Sequence, residues 1–531
     1  MRGDIDMLQV QHLTIDHIRD LRTILKDFSV TLNAGDKAVI IGEEGNGKST
    51  LLKWIFDPAL IEDYAEAEGI RVTGAERLAY LPQQLTEKDA GRTVWEFFAD
   101  EALFADAPPR RLAKLASSLG LSPDFFYSDQ IMGTLSGGEK VKAQLARLLL
   151  AEPTALLLDE PSNDIDIETL EYLERVIREF SGIVLFISHD ETLIERTANM
   201  VIHLEQVHRK QQCRHTVART GYREYAERRL NAFEKQAQQA QSDLRKKRIR
   251  DEKYRRILQS VDRAQVTINH AGRDNPDPMQ AARNLKDKMH TVKSMQKRFA
   301  REDAQMTEKP VMENPIDFTL GENAEPIPTG KTVLDFELPR LSAPDGSRLL
   351  AENIQLLVRG PEKVCIIGRN GCGKTTLLKE IWAQLKNRTD IRAAYMPQNY
   401  ADLLDLSKTP VDCICTKGDA EERTMVRTFL GALRFTTAEM EHPASALSGG
   451  QQAKIFLLQL NLSGANVLLL DEPTRNFSPL SGPVIRRMLA AFPGAILSVS
   501  HDRKYIEEVC GKVYELTENG LKQWSITPPS L

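Results

Sequence analysis

No stretch of this 531-residue chain approaches the roughly eighteen consecutive apolar residues that a membrane-spanning helix needs, and a mean hydropathy of −0.35 agrees. No membrane span is expected. The start, Met1-Arg2-Gly3-Asp4, shows no signal-peptide pattern, so a cytoplasmic location is expected. Cysteine is scarce: Cys213, Cys365, Cys372, Cys413, Cys415 and Cys510 are scattered, and Cys413-x-Cys415 lacks the second pair that a zinc site would require. Reduced, mostly structural thiols follow. Residues 222–258 contain neither Gly nor Pro, which leaves a long segment with nothing to break a helix.

What the chain does contain, it contains twice. Gly42-Glu43-Glu44-Gly45-Asn46-Gly47-Lys48-Ser49 and Gly368-Arg369-Asn370-Gly371-Cys372-Gly373-Lys374-Thr375 are phosphate loops. Their glycines let backbone N–H groups approach phosphate oxygens without an intervening Cβ, and the helix that follows turns its positive end toward the anion. Lys48 and Lys374 would reach the β and γ phosphates of ATP, while Ser49 and Thr375 supply a hydroxyl to Mg²⁺, with Thr50 and Thr376 next to them. The apolar runs 38–41 and 364–367 read as the preceding buried strands, and residues 51–55 and 377–381 as the beginnings of helices. A Gly-rich turn with a chance Lys-Ser could occur once. Two in register exclude it.

Each loop is followed, in the same order, by Leu-Ser-Gly-Gly, by an apolar run ending Asp-Glu-Pro, and by Ser-His-Asp. Residues 155–158 and 467–470 have the unbroken apolar character of a strand buried on both faces, delivering Asp159 with Glu160 and Asp471 with Glu472 at its end. Asp159 and Asp471 would hold the metal through its waters. Glu160 and Glu472 would orient or deprotonate the attacking water. Neighbouring strand residues point to opposite sides, so both carboxylates can serve one site only because the strand ends and turns at Pro161 and Pro473.

In these motifs and their order the chain resembles the ATP-binding-cassette superfamily over about four fifths of its length. The resemblance implies a doubly wound α/β core in each module, with an antiparallel sheet and a helical subdomain holding each signature. Leu135-Ser136-Gly137-Gly138-Glu139 and Leu447-Ser448-Gly449-Gly450-Gln451 look like the family signature, and a head-to-tail pair of cassettes within one chain is implied: Lys48 with Ser448 and Gly450, Lys374 with Ser136 and Gly138. Gln83 and Gln398, each in a Tyr-x-Pro-Gln stretch, look like the metal- and water-sensing glutamine. His189 and His501 look like the histidine that contacts the γ-phosphate. Two departures stand out. Ser162-Asn163-Asp164-Ile165-Asp166 keeps the family's loop ending in Asp, whereas Thr474-Arg475-Asn476-Phe477-Ser478-Pro479 has Ser478 there, which predicts inequivalent sites. The aromatic that usually stacks on adenine is missing; His17 is the one plausible substitute in the first module.

The segment between the modules points to a partner. Residues 222–305 hold 21 Lys+Arg against 12 Asp+Glu, a balance of +9 in a chain whose total is −5, so the remainder carries −14. Helices are expected over 222–258 and 279–306, joined by a turn region at 259–278 that contains Gly272, Asn275-Pro276 and Asp277-Pro278. Leu285, Met289, Val292, Met295 and Phe299 repeat at helical spacing, and Tyr225, Leu230, Phe233, Leu244, Ile249, Tyr254, Ile257 and Leu258 are sparse, as in an antiparallel hairpin with a narrow seam. A charged helical spacer is ordinarily just solvated. Arg245, Lys246, Lys247 and Arg248, continued by Arg250, Lys253, Arg255 and Arg256, instead concentrate charge as a phosphate-backbone contact would need.

Tandem cassettes joined by a basic helical hairpin resemble the ABC-F family of ribosome-associated ATPases. That resemblance implies binding near the exit-tRNA site, contact of the hairpin and its 259–278 tip with ribosomal RNA and tRNA, and modulation of translation or protection from antibiotics. Lys48 to Gln83 spans 35 residues and Lys374 to Gln398 spans 24, leaving at most a short extra arm in the first module. Two other classes share the catalytic motifs: the ATPase subunit of a transporter with separate membrane domains, and a DNA-associated ATPase. A monomer with an intramolecular cassette dimer is expected, divided into cassette 1 (1–208), a linker (209–311) and cassette 2 (312–531).

Overall fold

The computed structural model describes residues 7–18, 21–73, 77–163, 165–207, 212–270, 278–310, 319–321, 324–344, 346, 348–415, 418–433 and 435–524. It divides into two compact units, one of Met1–Arg223 with Glu313–Leu531 and one of Glu224–Met312.

The first unit is built from two similar α/β modules. In one, six strands run in the order Leu78–Leu81, Ala155–Asp159, Ile183–Ile187, Lys37–Ile41, Met200–Val207, Gln212–Ala218, all neighbours parallel except the last pair. The other repeats this order with Ala393–Met396, Val467–Asp471, Ala495–Val499, Lys363–Ile367, Lys512–Thr517 and Gly520–Trp524. Every residue of Ala155–Asp159, Ile183–Ile187, Val467–Asp471 and Ala495–Val499 is buried, the burial on both faces that their unbroken apolar sequence required. Gln212–Ala218 closes a hairpin on the first sheet, so the linker edge expected at 209 falls inside a cassette, and the long helix starts only at Tyr222.

A second layer is antiparallel. Met7–His17 pairs with Thr23–Asn33 and with Ala65–Val72, while among the described residues Thr332–Ser342 pairs with Leu349–Arg359 alone. The longer Lys48–Gln83 spacing is therefore used for a third strand of this sheet. It does not form an arm. Between this layer and the parallel sheet lies the helix after each phosphate loop, Lys48–Phe56 or Lys374–Leu385, and Leu51, Leu52, Leu377 and Leu378 join the cores there. The signature helices, Gly137–Leu150 and Gly449–Leu462, open on capping boxes in which the Ser136 and Ser448 hydroxyls accept the N–H of Glu139 and Gln451.

The second unit is a helical hairpin, Tyr222–His270 and Pro278–Ala304. The first helix runs twelve residues beyond the expected end at 258, because no Gly or Pro interrupts it before Gly272; Pro278 then opens the second helix at a position where its missing N–H costs nothing. Gly272, Asn275, Pro276 and Asp277, on which the turn was placed, lie outside the described residues. The helices are antiparallel: Asp243 accepts the Thr307 N–H, Arg250 pairs with Glu302 and Asp303, and the Tyr254 and Phe299 rings meet edge-on at 5.6 Å. The seam is narrow, with Ala240, Val261 and Val292 buried. Leu230, Leu244, Ile249 and Met289 lie outside it, exposed, so helical spacing alone overstated the apolar contact.

Candidate functional site

Both phosphate loops are shaped by their glycines. Gly42 has φ +147° and a Cβ there would stand 2.3 Å from the Leu204 carbonyl oxygen; a Cβ on Gly47 would meet the Ile24 side chain at 2.1 Å. The loop thus packs its outer side against neighbouring strands, and without side chains at these glycines its backbone can be approached closely by an anion. Lys48 and Lys374 curl over their own loops, donating to the carbonyls of Gly42 and Glu43 (2.9 and 3.1 Å) and of Gly368 and Arg369 (both 2.9 Å). Each is buried and positioned over the cradle.

At the strand ends, Glu160 and Glu472 occupy the left-handed region, φ 51° and 53°. This conformation, unfavourable for a residue with a Cβ, turns the second carboxylate of each pair to the same side as the first. Nothing in the two residue types announces it. The Ser49 hydroxyl donates to Asp159 at 2.8 Å, and Tyr80 donates to the other Asp159 oxygen at 3.1 Å. In the second module no hydrogen bond of ordinary geometry reaches the buried oxygens of Asp471, although Thr375 lies beside it. A buried carboxylate with spare acceptors next to a hydroxyl and a phosphate cradle fits Mg²⁺, which is usually held by one or two carboxylates together with substrate phosphates.

The two hydrolytic glutamates have different surroundings. Gln83 donates to Glu160 at 2.9 Å and Asn163 at 2.5 Å, and His189 Nε2 lies 3.4 Å away. Burial pushes the Glu160 carboxyl up, but His189, Lys48 and Asn163 more than reverse it and bring it down to about 2. Glu472 has long contacts, from the Ser500 hydroxyl (3.4 Å) and the His501 N–H (3.3 Å), with His501 Nε2 3.9 Å away; burial and the adjacent Asp471 push it up to about 8. Burial and the Lys374 charge bring His501 down to about 3.

Two cavities hold these groups. The larger, about 550 Å³, is lined by Ser136, Lys374, Thr375, Thr376, Gln398, Asp471, Glu472 and His501, so the first signature and the second phosphate loop share one space. Near it, the Asn370 N–H helps to hold the Asp166 carboxyl below its ordinary range. The smaller, about 360 Å³, is lined by Lys48, Ser49, Thr50, Gln83, Glu160 and His189, together with Arg475 and Asn476 of the second module. Ser448 does not line it. Here the contact between modules runs through acidic residues of the loop: Glu44 accepts the Gly450 N–H at 2.8 Å, and Glu43 accepts the Ser478 and Ser481 hydroxyls at 2.6 and 2.8 Å. Burial raises the Glu43 carboxyl, but the Lys454 ammonium and the two hydroxyls outweigh it and hold it below the ordinary carboxylate range. The unusual 474–479 loop also supplies the Phe477 carbonyl that accepts from His189 Nδ1 at 2.9 Å. Behind these contacts Arg486 reaches Glu191 and Arg503 reaches Glu174 and Asp190, joining the modules by ion pairs.

On the base side, His17 lines the smaller cavity with Arg22 and Tyr64. Arg22 donates to the Gly45 carbonyl at 3.4 Å and Arg348 to that of Gly371 at 2.5 Å, a matched pair that sequence reasoning missed. Aligning the two modules inside the chain would have found it, since each arginine lies two residues before the side chain that packs on the last loop glycine, Ile24 or Leu350.

Two phosphate loops, each with a strand-end carboxylate pair and facing a signature helix from the other module, define a tandem P-loop ATPase. Residues 25–163 and 351–475 match the family model described as ABC transporter. The ribosome protection protein VmlR of Bacillus subtilis is 28% identical over 96% of this chain and 87% of its own. Human ATP-binding cassette sub-family F member 3 is 25% identical over 94% of this chain and 70% of its own. The solved structure of RNase-L Inhibitor shares the fold, with a TM-score of 0.55 at 18% identity over 96% of this chain and 90% of that one. The chain belongs to the ATP-binding cassette family, in its tandem-cassette F branch, and is an ATP-hydrolysing enzyme. Among the described residues no helix is long and apolar enough to cross a membrane.

Proposed function

We propose that this ATPase works in the cytoplasm on the ribosome, docking near the exit-tRNA site and modulating translation or protecting it from ribosome-targeting antibiotics. The observation that carries the reading is the basic shaft of the hairpin: Arg245, Lys246 and Arg248 are exposed on a helix whose apolar seam is too thin to need them for packing. A phosphate backbone is the complement of such a surface. The name of one relative, ribosome protection protein, points the same way. The protective role is read from the inhibitory concentration of drugs that act at the peptidyl-transferase centre, in a sensitive host expressing the chain; no rise leaves the regulatory role alone.

In the catalytic cycle Lys48 and Lys374 hold the β and γ phosphates of ATP over their glycine cradles, and Ser136 with Gly138 closes on the Lys374 site from the opposite module. Ser49, Asp159 and Gln83, and likewise Thr375, Asp471 and Gln398, would hold Mg²⁺, which neutralises phosphate charge when bound. Glu160 and Glu472 orient the attacking water and take its proton. His189 and His501 approach the γ-phosphate from the strand ends behind them. Closure of the two modules assembles the sites, and product release lets them part.

The sites should turn over unequally. Glu160 is already engaged by Gln83, Asn163 and His189, whereas Glu472 faces the larger cavity with only long contacts. Glu472→Gln is expected to lower steady-state ATPase several-fold more than Glu160→Gln, each loss lying within the roughly 10²–10⁴ range of a general base at its own site. Equal losses in the two variants would refute the inequivalence.

A further inference from the structure

The first phosphate loop carries something the second lacks. Glu43 and Glu44 stand where the second loop has Arg369 and Asn370, so the charge at the module interface is reversed between the two sites. At the Lys374 site the acid belongs to the opposing loop, with Asp166 near the Asn370 N–H. At the Lys48 site the acids belong to the phosphate loop itself and the opposing loop offers hydroxyls, Ser478 and Ser481. The replacement of Asp by Ser478 is thereby explained: an aspartate there would face Glu43 at hydrogen-bond distance, two like charges on one partly buried spot. The substitution and the acidic loop are two halves of one exchange.

Glu44 goes further. Its carboxylate accepts the Gly450 N–H at 2.8 Å, at the amino end of the fourteen-residue helix Gly449–Leu462, and it lies 3.2 Å from where a Cβ of Gly449 would be. That helix end is where an anion is favoured by both free N–H groups and the helix dipole. We propose that Glu44 is a built-in anion for the second signature: it takes the Gly450 amide that a γ-phosphate would otherwise use, with Glu43 as the positioning residue that fixes the loop to Ser478 and Ser481. The Lys48 site then closes on its partner module without a third phosphate, and it distinguishes ATP from ADP poorly. The Lys374 site, whose signature Ser136 lines an open cavity, is left to sense the γ-phosphate. The inference rests on the head-to-tail pairing of signature and phosphate loop proposed above.

The test uses the full chain with one site disabled at a time. In the Lys374→Ala background, MgATP and MgADP are titrated calorimetrically onto the Lys48 site; the affinity ratio is expected to lie within about threefold of unity, and Glu44→Asn should raise it roughly tenfold, the worth of one charge-assisted hydrogen bond gained by the γ-phosphate. Asn is the residue that the second loop carries at this place, so the backbone tolerates it; Glu44→Gln, which removes the charge but keeps an oxygen able to accept the Gly450 N–H, should shift the ratio in the same direction by less. A loss of folding would lower both affinities together and leave the ratio where it was. In the Lys48→Ala background, Ser136→Ala should reduce ATP-over-ADP discrimination at the Lys374 site and Glu44→Asn should not. A ratio at the Lys48 site unmoved by Glu44→Asn, with Ser136→Ala active at the other site, overturns the proposal and keeps the head-to-tail pairing. A silent Ser136→Ala overturns the pairing and the proposal with it.

Discussion

Chains carrying both Glu160→Gln and Glu472→Gln should bind ATP as before, lose turnover by about 10²–10⁴-fold and stay closed on ribosomes through a sucrose gradient. The phosphate-binding groups are separate residues from the altered ones: Lys48 and Lys374 donate to carbonyls of their own loops. Gln is close in size and unbranched, so it can occupy the left-handed backbone position about as well as Glu does. Its carbonyl oxygen can still accept from Gln83 or Asn163 at the first site. What disappears is the base. With the clamp intact and the water unactivated, the closed form accumulates, and growth of cells expressing the variant should stall. Binding is read by calorimetry, turnover by phosphate release and retention by co-sedimentation. Free sedimentation of the ATP-loaded double variant, away from ribosomal particles, would refute the ribosomal reading while leaving the ATPase intact.

That prediction draws on residues that could be read before any coordinates. The glycines, Lys48, Lys374 and the carboxylate pairs sit between strong, repeated apolar runs, and a run such as Leu156-Leu157-Leu158 has few folds open to it other than a strand covered on both faces. Legibility stopped where the deciding quantity was a backbone angle or a contact between distant segments. The φ of Glu160 and Glu472 is a property of the strand end and not of glutamate. The partners of Glu43 and Glu44, Ser478 and Gly450, lie more than four hundred residues away in the chain, and no local pattern links them. The extra residues before Gln83 left room for at most a short arm by their number alone, and the Glu66, Glu68, Gly69 and Arg71 of the strand Ala65–Val72 hid its pairing with Met7–His17. In the hairpin, Gly272 and the prolines near it said nothing about where the helix before them had to stop, and it ran on to His270.

The hairpin gives the second large effect, and the structure changes which residues should be altered. Four cations were expected to face a phosphate backbone, yet Lys247 pairs with Asp303 at 3.0 Å and Arg250 joins Asp303 while its guanidinium lies 4.4 Å from the centre of the Phe299 ring. These two hold one helix to the other. Lys246 and Arg248, whose side chains are 74% and 84% exposed and make only long contacts with Asp243 and Glu252, are available to a partner, as is the exposed Arg245. Reversing Lys247 would place a glutamate against Asp303 and open the hairpin, confusing loss of shape with loss of charge. The informative variant is therefore Arg245→Glu, Lys246→Glu and Arg248→Glu with Lys247 kept. If these three meet ribosomal phosphates, affinity for ribosomes near 0.1 M salt should fall by about 10²-fold or more, and the slope of log K against log salt should shrink by roughly two to three, about one for each phosphate contact removed. ATP affinity should not move, because no nucleotide-site residue lies in this segment. Circular dichroism of the full chain should be unchanged, since all three side chains lie outside the seam. An unchanged salt slope would show that the shaft carries solvated charge only, and the ribosome would then have to be held by other surfaces.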